Sequence, residues 1–116
     1  DGEVGGTAIE SAMRVALTFD LVKDARLPFP RFETWGPVSR HFDEKGYFVT
    51  TGIGPDLMEC ARAAVMRMVE EISAAQRISA AEAYMLCSVC ADLRVSELVD
   101  QPNWVVSFYF PKVVFD

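Results

Sequence analysis

Three carboxylates stand near the start of the chain. Asp1 and Glu3 flank Gly2, and Glu10 follows Gly5-Gly6-Thr7. Carboxylates can move protons or ligate a metal, and glycines let the backbone come close to a substrate. Asp-Gly-Glu is also an ordinary turn, so spacing alone leaves both readings open. Cys87-Ser88-Val89-Cys90 has the spacing of a redox pair or half a zinc knuckle. Only Cys60 remains as a further thiol, and a redox pair sits at a helix start rather than inside an apolar stripe, so small buried core residues are the expectation. His41 lies beside Arg40, Asp43 and Glu44 and reads as a solvated loop residue. Asp92 and Arg94, two positions apart after a helix, read as a structural ion pair.

These residues need elements to position them. Met13, Val15, Leu17, Phe19 and Leu21 alternate with Arg14, Thr18 and Asp20, the period of a strand with one buried face running from about Ser11 to Lys23. Asp24 to Arg31, with its two prolines, reads as a turn or crossover. A short strand is expected over 31–35, a surface loop over 36–46 and a strand over Tyr47–Thr51. A helix follows Gly52-Ile53-Gly54, with Pro55 suited to its first position and Asp56 and Glu59 favourable at the positive end of its dipole. Its apolar stripe is Leu57, Ala61, Ala64, Val65, Met68 and Ile72, about four turns long. Ser79-Ala80-Ala81-Glu82 is a capping box and predicts a second helix over 80–91 that buries Ala83, Leu86, Cys87 and Cys90. Residues 93–99 fit a strand or a weak helix, with strand favoured. Gln101-Pro102-Asn103 is a turn, and Trp104–Phe110 is the most strand-like segment. The expected fold is α+β, a mainly antiparallel sheet with two helices packed on one face.

Composition narrows the function. The chain has 116 residues, 51% hydrophobic, with 11 basic and 17 acidic side chains and a net charge of −6. It is expected to be one domain, because this length supports one core and not two. The acidic balance disfavours nucleic acid and anionic membrane surfaces as partners, and no apolar run is long enough to span a bilayer. Few cysteines and no leader pattern make a reducing cytoplasm the expected setting. One histidine is too few for a His-based triad or a complete zinc site. On composition alone the chain reads as a binding or structural domain, or as part of a larger enzyme.

Several segments together resemble the acetamidase/formamidase family of amide hydrolases. They are Asp1-Gly2-Glu3-Val4 with Gly6-Thr7-Ala8-Ile9-Glu10, Pro30-Arg31-Phe32-Glu33-Thr34, and Thr51-Gly52-Ile53 with Pro55-Asp56-Leu57. Glu82-Ala83-Tyr84, Ala91-Asp92-Leu93-Arg94-Val95, Val99-Asp100 and Pro111-Lys112 continue in the family's order. The resemblance is to the C-terminal part of the family's longer enzymes, so it implies that this chain is a portion of such an enzyme and begins inside an active-site segment. It implies a divalent metal, zinc being the expected one, held mostly by residues outside this chain. It makes Glu3 the candidate catalytic carboxylate or metal ligand, Asp1 a neighbouring candidate, and Glu10 a support residue. Glu33 and the Asp92/Arg94 pair match positions read as structural, and residues 35–46 match no family motif. The implied partners are a small amide substrate, open-chain or a γ-lactam, the β-rich N-terminal part of the same enzyme, and further copies of the protein in a homo-oligomer. The competing expectation is a noncatalytic interaction or oligomerisation domain.

Overall fold

Asp56 sets the start of the first helix, because its carboxylate accepts the Glu59 backbone N–H at 2.9 Å and satisfies a donor that has no partner within the helix. The computed structural model describes residues 11–24, 28–31, 33 and 45–115. These fall in two units, one made of residues 45–115 and the other of the described residues between 11 and 33.

In the larger unit the order is β1 (Tyr47–Gly54), α1 (Leu57–Gln76), α2 (Ala80–Cys90), β2 (Asp92–Glu97) and β3 (Trp104–Pro111), closed by a 3-10 turn at Lys112–Phe115. The sheet order is β1-β3-β2 and both pairings are antiparallel. Gly54 pairs with Trp104 and Tyr47 with Pro111; Asp92 pairs with Tyr109, and β2 bulges between Val95 and Glu97. The most apolar strand is thus the central one, as expected of the segment with neighbours on both edges. Both helices pack on one face, which makes the α+β arrangement expected from the sequence.

α1 differs from its expected form at both ends. Pro55 lies just before the cap instead of at the first helical position, and the helix runs 20 residues to Gln76, where Arg77 closes it in the left-handed conformation at φ 56°. Its buried residues are Cys60, Ala64, Val65, Met68, Val69 and Ile72, whereas Leu57 is exposed and Ala61 half-buried. The rotation of the stripe follows from β1: Gly52 has no side chain, so the strand backbone lies against the Cys60 backbone and turns that position into the core. α2 begins at a complete capping box. Ser79 Oγ accepts the Glu82 N–H at 3.2 Å, and Glu82 Oε2 accepts the Ser79 N–H at 2.8 Å. Ala83 and Cys87 are buried, while Leu86 and Cys90 are half-buried at the margin of the core.

Phe108, Phe110, Val106, Met68 and Cys87 are the largest fully buried side chains. The two phenylalanines each contribute about 1.5–3 kcal/mol by leaving water. Thr50 faces the same layer, where its hydroxyl donates to the Ala64 carbonyl at 2.7 Å.

The strand expected over 11–23 is not formed. Residues 11–22 have no regular secondary structure, and their apolar side chains are exposed. Alternation marks which side chains a strand would bury but supplies neither the neighbouring strand nor the layer that makes burial possible, and among the described residues β1, β2 and β3 pair only with one another. Of the strand expected over 31–35 only Arg31 and Glu33 are described, and neither is in a strand. The loop expected over 36–46 is described only at Lys45 and Gly46, where Gly46 adopts φ 73°.

Candidate functional site

Side chains at alternate positions of a strand share a face, so the register sorts the sheet into two surfaces. Thr50 and Gly52 meet α1. Tyr47, Tyr109, Asp92, Arg94, Ser96 and Ser107 lie on the opposite surface, where they form a connected polar and aromatic cluster. Arg94 Nε donates to Asp92 Oδ2 at 2.7 Å, and the guanidinium stands 4.5 Å from the centre of the Tyr109 ring. Tyr109 meets Tyr47 edge to face, with ring centres 5.9 Å apart. Ser96 Oγ donates to Ser107 Oγ at 2.7 Å. The hydrogen bond to Asp92 raises the already high pKa of Arg94. A guanidinium held by a carboxylate at one edge and a ring on one face cannot exchange protons near neutral pH, so this cluster fixes orientation and charge. Asp92 and Arg94 thus form the ion pair expected of them.

The cysteines lack the environment of a reactive site. Cys87 and Cys90 lie in the last turns of α2, and burial, with a smaller contribution from Cys90, pushes the Cys87 thiol up to about 11. Burial also raises Cys90. Both remain thiols at neutral pH, whereas a nucleophilic cysteine needs a depressed pKa. Cys60 is buried, and its Sγ donates weakly to the carbonyls of Gly54 at 3.5 Å and Trp104 at 3.6 Å, tying α1 to both strands.

A groove that the sequence pattern does not reveal is lined by residues of α1, α2 and β2. Its volume is about 490 Å³, and its lining includes Met58, Val65, Met66, Tyr84 and Leu93, with Arg62 also in the wall. Glu59 pairs with Arg62 one helical turn away. The signal was available in part: Met58 and Met66 are apolar residues outside the predicted stripe. Their meeting with Tyr84 and Leu93 depends on the angle between α1, α2 and β2, which helical spacing does not encode.

Asp1, Glu3, Glu10 and His41 lie outside the described residues. Among the described residues no group of three or more His, Cys, Asp or Glu is placed to hold a metal ion, so these residues do not fit a metal centre. No helix among them is long and apolar enough to cross a membrane. The described residues of the larger unit form a packed sheet-and-helix scaffold.

The sequence model of the acetamidase/formamidase family matches residues 1–116. The chain belongs to the acetamidase/formamidase family. No curated protein and no solved structure matches it. For this acetamidase/formamidase family member, the match spans the Asp1-Gly2-Glu3 segment, both helices and all three strands. Family membership supports an amidase-type hydrolytic function.

Proposed function

We propose that this chain takes part in hydrolysing the C–N bond of a small amide, acetamide- or formamide-like or a γ-lactam, to a carboxylate and an amine or ammonia. The observation that carries the reading is the family match over residues 1–116. Glu3 is the residue assigned to the reaction. Its carboxylate takes a proton from the attacking water and returns it to the departing nitrogen, because an amine leaves more readily once protonated. Asp1, one residue from it across Gly2, is placed by sequence to share its charge environment, and Glu10 supports the segment. We assign the sheet-and-helix unit a supporting role. A divalent metal, zinc by resemblance, would take most of its ligands from the β-rich N-terminal part of the enzyme, in keeping with the single histidine here.

The test measures ammonia release from formamide, acetamide and a γ-lactam by this chain alone and by the chain joined to that β-rich part. The joined protein is expected to turn over at least one amide, and Glu3→Gln is expected to lower its turnover by about 10²-fold or more. Unchanged turnover with an intact fold would remove Glu3 from the mechanism. Absence of turnover on all amides by the joined, metal-loaded protein would remove the functional reading itself.

A further inference from the structure

We draw no further inference here: the strongest candidate, the apolar groove that Met58, Val65 and Met66 of α1 line with Tyr84 of α2 and Leu93 of β2, carries nothing because nothing in the structure shows what covers it.

Discussion

Replacing Gly52 by alanine tests the close approach of β1 to α1. A Cβ at this position would lie 1.9 Å from the Cys60 carbonyl oxygen, 2.7 Å from its carbonyl carbon and 2.9 Å from its Cα. Ordinary contact begins at 3.4 Å, so strand and helix would have to part by about 1.5 Å. The obstacle is helix backbone in the first turns of α1, which cannot rotate aside as a side chain can. Separation there also loosens Cys60 from the carbonyls of Gly54 and Trp104. Overpacking a core costs about 1–3 kcal/mol when side chains can adjust, and a backbone clash belongs at the top of that range or above it. A domain of this size has roughly 5–10 kcal/mol of stability in total, so Gly52→Ala is expected to remove about a third or more. Urea unfolding followed by circular dichroism gives the difference directly. Gly54→Ala is the matched control: its Cβ would meet Cys60 Sγ at 3.7 Å, an ordinary contact, and a change within about 1 kcal/mol is expected. Cys60→Ala should not rescue Gly52→Ala, because the clash is with backbone. A Gly52→Ala protein within about 0.5 kcal/mol of the parent would refute the close approach, and rescue by Cys60→Ala would refute its assignment to backbone.

Other consequences follow from the caps and the thiols. Ser79→Ala is expected to cost about 1 kcal/mol at pH 7 by removing the helix cap. Hydrogen bonds from the Ser79 hydroxyl, then from its backbone N–H, hold the Glu82 carboxyl below its ordinary 4.5. Its folded pKa is thus lower than its unfolded one, so its contribution is complete above the unfolded value and disappears as pH falls through the folded value. Thermal unfolding at pH 7 and pH 3 should therefore show a smaller gap between parent and Ser79→Ala at the lower pH. An equal gap would contradict the role of the ionised carboxylate. With its thiol pushed up to about 11 and its side chain buried, Cys87 should react far more slowly with a disulfide reagent in the native protein than in urea. Fast native labelling of Cys87 would place it outside the core.

The legible parts of the fold are those governed by local physics. The capping box predicted the start of α2 because hydroxyl, carboxylate and backbone donors all lie within one turn. The apolar run Trp104–Phe110 identified a strand, and its central place between β1 and β2 came from the structure. The phase of α1 was less legible. Val69 and Cys60 entered the core in place of Leu57 because Gly52 lets β1 approach on one side, a relation between residues eight positions apart across a turn. The alternating segment 11–23 shows the converse limit, since a period of two specifies a face and not the partner that covers it. The carboxylates that carry the proposed chemistry were identified from residue type and family resemblance, and Asp1, Glu3 and Glu10 lie outside the described residues.

What the sequence determined by itself is the class of fold, the identity of its helices and three of its strands, Cys87 as a core residue, and membership of the acetamidase/formamidase family. Each rests on spacing within a few residues or on the order of motifs along the chain. Only the tertiary structure decided the β1-β3-β2 order, the meeting of Arg94 with Asp92 and Tyr109 on the sheet surface opposite the one that meets α1, and the groove between Met58, Met66 and Tyr84. Those features depend on which elements become neighbours and at what angle. That choice is made by the competition of all apolar surfaces for one core, and no local pattern contains it.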